Sequence, residues 1–266
     1  MSTLSIHVDG IGLFGPGLSG WSTAVPVLTG EQAYVPAPMQ LPPLDALPAA
    51  ERRRVGTAVK LALSIGFDAV RGAGADAAQL ATVFSSSAGD CDNCHNLLEA
   101  LASADRSVSP TRFHNSVHNA ASGYWSIATG CMAPSTSLSA FDATFAAALL
   151  EAATQALDSA APCLLVAYDT VYPEPLHSLR PIASPFGVAM VLNPQRTEQS
   201  LARLEIGWTS NVDTSMADAA LESLRRNNPS ARSLPLLQQL ARGTPDKVVI
   251  EYLDTTNLAL TVLPCQ

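Results

Sequence analysis

PSTSLSAFDATFAAALLEAA, residues 134–153, decides the fold. A run of strand length at 135–140 ends in a sharp turn at Phe141-Asp142. From 142 to about 156 the chain is apolar on nearly every helical face, with Glu151 the first charge after the turn. Strand, tight turn and all-round apolar helix make an elbow whose helix is expected to be buried in the middle of the molecule. Enzymes that build such an elbow place Ser or Cys at the turn, where the helix N-terminus favours negative charge. Here Asp142 stands at the turn, and it is expected to act as a helix N-cap or first-turn acid contributing about 0.5–2 kcal/mol.

Outward from the elbow, apolar strand-like runs alternate with helical patterns. Residues 4–15 read as an opening strand, and 80–90 as a buried strand entering a Ser/Gly loop. Residues 163–170 and 186–193 are further strands, and 248–254 with 258–263 form a closing hairpin. Helical spacing appears over 51–70, ended by Gly72 and Gly74, and again at 92–103, 118–129, 215–226 and 234–242. The Pro-rich stretch VPAPMQLPPLDALP (35–48) is an extended surface connection. This order predicts an α/β layered chain.

The 266 residues are 47% hydrophobic and 14% charged, enough for one substantial core. A net charge of −8 disfavours nucleic acid and anionic membranes as partners. No apolar run reaches the ~18 residues of a membrane span, and the N-terminus lacks the pattern of a signal peptide. Five scattered cysteines are consistent with reduced thiols and a cytoplasmic protein. CDNCH (91–95) matches the attachment pattern of c-type haem, but with no export signal it is read as the accidental start of a helix. No phosphate-cradling or dinucleotide glycine motif is present, and no cofactor or metal is expected.

Other residues admit sharper readings. His114 and His118 would share a face if their segment were helical, but Pro110 and Asn115 favour a loop there. Ser85-Ser86-Ser87 follows a buried strand without a nucleophile-elbow motif, and it reads as a polar turn together with Asp90. Arg52-Arg53-Arg54 is a short basic run, read as solvated helix surface that could meet an acidic carrier.

SPTRFHNSVHNAASGYWSIATGCMAPSTSLSAFD (109–142) resembles the segment leading to the active-site cysteine in β-ketoacyl synthases of the thiolase superfamily. Ser109-Pro110, Asn119, Gly123, Ile127, Gly130 and Pro134-Ser135 carry the likeness. VDGIGLFGPG near the start and RPIASPFGVAMVL (180–192) resemble the family's first strand and the stretch closing its N-terminal half. The resemblance implies a thiolase-like half fold: one domain over 1–266, a mixed, mostly parallel sheet flanked by helices, and 195–266 as a divergent closing region.

On this resemblance Asp142 falls where the family keeps its nucleophilic cysteine, and no histidine follows residue 195 to serve in decarboxylation. The chain therefore looks like a non-catalytic, chain-length-factor-like subunit of aryl polyene or xanthomonadin-type pathways. Its implied partner is a complete β-ketoacyl synthase, and acyl carrier protein is met only indirectly. Arg112, Phe113, His114, Val117 and His118 would lie at the subunit interface and shape the partner's acyl tunnel. Phe141, Thr144 and Phe145 would line this chain's own residual cavity. Two alternatives stay open: an independent acyl-thioester transferase or hydrolase using Asp142, His114 or Ser86, and a homodimeric module binding acyl groups or carrier protein.

Overall fold

A computed structural model describes residues 3–265. The opening strand β1 (Leu4–Gly15) turns back through β2 (Leu18–Ser19), and α1 (Trp21–Thr29) follows. Residues 33–44 then run as an extended strap without helix or strand. The helix expected over 51–70 is two helices, α2 (Ala49–Arg52) and α3 (Thr57–Ala73). α3 stops where Gly74 takes the left-handed conformation (φ 59°), and Ala75 N–H reaches back to Val70 O at 3.2 Å.

β3 (Ala81–Ser85) leads through α4 (Cys91–Ala102), α5 (Pro110–His114) and α6 (Ala120–Thr129) to β4 (Ser135–Leu138). Residues 110–114, expected as loop, are helical because the Ser109 hydroxyl accepts from Arg112 N–H (3.5 Å) and Pro110 opens the turn. Next come α7 (Thr144–Ser159), β5 (Cys163–Asp169), the single turn α8 (Leu176–Leu179) and β6 (Phe186–Asn193). The chain closes with β7 (Ala202–Thr209), α9 (Ala219–Asn227), α10 (Leu234–Arg242), β8 (Asp246–Leu253) and β9 (Thr256–Pro264).

All the strands form one sheet in the order β4-β3-β5-β6-β1-β7-β9-β8, with β2 on β1. The α/β class and the mixed sheet flanked by helices agree with the thiolase-like expectation. The expected parallel majority is corrected: parallel pairing is confined to β3 with its neighbours β4 and β5. Those are the strands joined by helical crossovers, through α4–α6 and through α7, and parallel neighbours require such crossovers. β6, β1, β7, β9 and β8 pair antiparallel, and Asp254-Thr255 alone links β8 to β9.

Each face of the sheet carries its own core. On one, α7, α10 and α1 pack against the sheet, with Phe145 and Leu149 of α7 and Leu236 of α10 in one core with Leu204, Leu258 and Leu260 of the strands. The closing region meets the nearly all-apolar α7 through residues 230–233 and β8, and Leu236 and Leu237 of α10 are fully buried in the same core. On the other face α3, α6 and the strap bury Leu61, Ile65, Trp125, Phe84 and Val166.

α3 lies on the backbone of β1. A methyl group on Gly12 would overlap the Ile65 carbonyl, and one on Gly10 would overlap the Ala69 carbonyl. This close approach explains Gly10 and Gly12 of the opening VDGIGLFG, whereas Gly15 leaves room for the Phe186 ring. Gly12→Ala is expected to cost about 3 kcal/mol by forcing helix and strand apart. Urea denaturation reads this directly, and a loss under about 1 kcal/mol would show that α3 can shift freely.

Candidate functional site

β4 ends at Leu138 and α7 begins at Thr144, so residues 139–143 form the elbow. Phe141 sits in the left-handed region at φ 54°. For a residue with a Cβ this costs about 1–2 kcal/mol and marks a turn held by its surroundings. The fully buried Thr144 holds it: its hydroxyl donates to Phe141 O (2.6 Å) and accepts from Ala140 N–H (3.1 Å).

Of the two expected roles, Asp142 is not the N-cap, since no side chain caps α7 and the Thr144 hydroxyl ties the turn instead, but it is an acid in the short helical turn Phe141–Ala143 that leads into α7. The Asp142 carboxylate is shared by two arginines. Arg180 Nη2 donates to Oδ1, and Arg232 Nη2 lies 3.3 Å from Oδ2. Arg232 continues to Glu251 at 2.5 Å, linking the elbow to β8. The Arg180 guanidinium also covers the Phe141 ring, 3.7 Å from its centroid. The strained backbone that a nucleophile elbow uses therefore belongs to Phe141, one residue before the Asp142 singled out from the sequence. A phenyl ring offers no nucleophile, and a carboxylate bound by two guanidinium groups is a weak one.

Behind the elbow lies a network of which only the Ser85–Ser87 turn was visible in the sequence. Asp169, at the end of β5, is 1% exposed. Its Oδ1 accepts from Ser87 N–H (2.8 Å), Ser87 Oγ (2.6 Å) and Ser86 Oγ (3.3 Å). Its Oδ2 accepts from Ser230 N–H (3.0 Å) and Ser230 Oγ (2.6 Å). Burial pushes this carboxyl above the usual range, while the bonds from Ser230 and Ser87 pull the other way. Ser87 Oγ also meets Tyr172 Oη at 2.7 Å, and Ser139 Oγ donates to Ser87 O at 2.9 Å, joining the network to the elbow. Ser86 is buried, donating to Asp169 and accepting from Gly89 N–H at 2.9 Å. It ties a polar turn together and is not an exposed nucleophile.

The histidines do not form a pair. α5 ends at His114, the chain turns at Asn115, and α6 starts only at Ala120. His118 Nε2 lies 3.0 Å from Ser86 O, whereas His114 is exposed and lines a groove with Phe113, Val117 and Ile127. Arg112 is exposed too, and its carbonyl accepts from Asn93 Nδ2 at 2.8 Å. Phe113 (69% exposed) also borders an apolar groove of about 680 Å³ between α4 and α5, with Leu97, Leu98 and Leu101. Thr144 and Phe145 are fully buried, the first spent on the elbow and the second packed into the core over the sheet.

Cys91 and Cys94 stand in the first turn of α4, which Asp90 caps by accepting from Asn93 N–H at 3.0 Å. Burial first, then the neighbouring Cys94 and acidic groups, push the Cys91 thiol up to about 11, far from a reactive thiolate. The basic run is divided among acids: Arg52 pairs with Asp45, and Arg54 with Glu51 at 2.8 Å. Among the described residues, no helix is long and apolar enough to cross a membrane.

Three comparisons bear on this arrangement. A family model for the N-terminal domain of β-ketoacyl synthase matches residues 28–252. No curated protein matches the chain by sequence. Among solved structures, the chain is similar to a ketosynthase in complex with its chain length factor from Xenorhabdus doucetiae. That match has 23% identity and a TM-score of 0.74, and covers 97% of this chain and 99% of that one. It is also similar to a type II polyketide acyl carrier protein in complex with its ketosynthase bound to the hexaketide (13%, TM-score 0.75, 99% and 100% covered). The ishigamide ketosynthase/chain length factor matches likewise (13%, TM-score 0.72, 99% and 100% covered). With the family model spanning most of its length, the chain belongs to the β-ketoacyl synthase family, through the N-terminal domain of those enzymes.

Proposed function

We propose that this chain is the chain-length-factor-like partner of a complete β-ketoacyl synthase, working as one cytoplasmic domain without condensing chemistry of its own. One observation carries this reading: the strained elbow position is a phenylalanine, and the next residue, Asp142, is clamped by Arg180 and Arg232. The likeness to ketosynthases solved with a chain length factor supports it. So does the exposed apolar surface of α4, α5 and α6, which a lone soluble chain rarely presents.

In this reading the ketosynthase partner receives acyl groups from carrier protein and performs the condensation. This chain stabilises the pair, and Phe113 with Arg112 and His114 bounds the growing polyene or polyketide chain by filling volume. The sequence resemblance supports an aryl polyene-type pigment as the product class.

The test is a thioester assay with purified components. Incubated alone with acyl- and malonyl-carrier protein, the chain is expected to give no turnover above the blank. Added to its ketosynthase, it is expected to support elongation, and Asp142→Asn leaves the rate within about twofold. Thioester turnover by the chain alone, lost in Asp142→Asn, would refute the proposal.

A further inference from the structure

α4 opens with the two thiols of CDNCH, Cys91 at its first position and Cys94 three residues on. Residues three apart on a helix share a face, and helix geometry sets their Cα atoms about 5 Å apart. A disulfide needs Cα atoms about 4.4–6.8 Å apart, so the backbone already lies within bridging range. Helical side chains lean toward the N-terminus, which tips Cys94 toward the turn that carries Cys91. Cys94, Leu97, Leu98 and Leu101 form a stripe along the groove against α5, and Cys91 heads that stripe.

The two thiols differ in access. Cys91 is buried against Tyr172 and Ile182, and its thiol donates weakly to Ala88 O at 3.8 Å. Bridging gives up that one weak contact. Cys94 is half-buried and borders the groove, where a small molecule can reach it. Burial holds both thiols above their ordinary range, so exchange is slow and the pair rests as a dithiol. The remaining cysteines lie on other elements: Cys131 after α6, Cys163 on β5 and Cys265 after β9.

We infer that Cys91 and Cys94 form a reversible dithiol–disulfide pair, oxidised by a small disulfide of the glutathione type. Cys94 loses its proton and attacks one sulfur of the small disulfide, and the expelled thiolate takes up a proton as free thiol. Cys91, deprotonated in turn, attacks the Cys94 sulfur, closes the bridge and expels the second small thiol. Two protein thiols are oxidised and one small disulfide is reduced to two thiols. The bridge lies at the head of the groove wall, so oxidation changes the surface that α4 and α5 present. This chemistry does not depend on the role proposed for that groove.

Trypsin releases residues 72–106 as one peptide, because no Lys or Arg lies between Arg71 and Arg106, and Cys91 and Cys94 are its only cysteines. The experiment incubates the full chain with glutathione disulfide, then alkylates it unfolded, digests it and weighs this peptide. In the parent, the peptide is expected to lose two hydrogens and escape alkylation, and to regain both thiols under dithiothreitol. Cys91→Ser is expected to stop at a glutathione adduct on Cys94, and Cys94→Ser to leave Cys91 as a free thiol. A parent peptide that keeps glutathione on Cys94 without closing would overturn the inference. So would a fully reduced one under conditions that close a free Cys-x-x-Cys peptide.

Discussion

Asp169→Ala is expected to lower the free energy of unfolding by about 3–5 kcal/mol, enough to unfold much of the protein at 37 °C. The substitution removes the acceptor for Ser86, Ser87 and Ser230 at once. Ser230 N–H retains a second acceptor in Asn228 Oδ1 at 3.0 Å, but no second acceptor appears for Ser87 N–H among the described residues. A buried donor left without an acceptor costs about 1–3 kcal/mol, and the freed hydroxyls add to this. Asp169→Asn keeps one oxygen but turns an amide N–H₂ toward groups that themselves donate, so an intermediate loss is expected. Guanidinium unfolding of both variants, followed by circular dichroism, checks the order. A loss under about 1 kcal/mol for Asp169→Ala would show that the turn, β5 and the segment around Ser230 do not rely on this carboxylate.

Phe113→Asp combined with Leu98→Asp is expected to weaken the complex with the ketosynthase at least a hundredfold, with the melting temperature nearly unchanged. Both side chains are exposed, at 69% and 65%, and border the groove between α4 and α5. Val117 (53%) and Ile127 (48%) extend the apolar surface past Phe113, and Met132 (93%) lies just before β4. β4 is the outermost strand on its side of the sheet, so its outer backbone groups face away from the other strands. Exposed apolar side chains cost little to replace in the isolated chain, whereas aromatic anchors of an interface are worth 2 kcal/mol or more each. The milder Phe113→Ala should keep the complex and lengthen its product, since a bulky ring at a tunnel end excludes volume. Unchanged affinity in the double variant would place the ketosynthase elsewhere on the surface.

The elbow was legible because its signal is local: a strand-length run, a turn and an apolar helix lie within residues 134–153. α10 was equally plain, matching Leu234–Arg242, because its apolar side repeats at helical spacing. β7 escaped notice because ARLEIGWT alternates buried Ala202, Leu204 and Ile206 with Arg203 and Glu205, a half-exposed strand of low average hydropathy. α1 was missed because Pro26 lies inside its nine residues and breaks the helical pattern.

The chemistry around the elbow was less legible than the elbow itself. Arg180 and Arg232 reach Asp142 from distant parts of the chain, and Ser230 meets Asp169 across 61 residues. No spacing rule joins such residues before the sheet is assembled. The one signal available was the polarity of Asp169 at the end of a strand whose other residues are all apolar. The sequence likewise favoured a parallel sheet, because strand–helix alternation does not reveal which strands become neighbours.

The most direct test of the proposed role is to tag the chain in its native host, purify it gently, and weigh what co-elutes by native mass spectrometry. A full-length β-ketoacyl synthase bound one to one is the expected result. Recovery of the chain by itself or as a homodimer, with turnover of acyl thioesters in the same fraction, would contradict it.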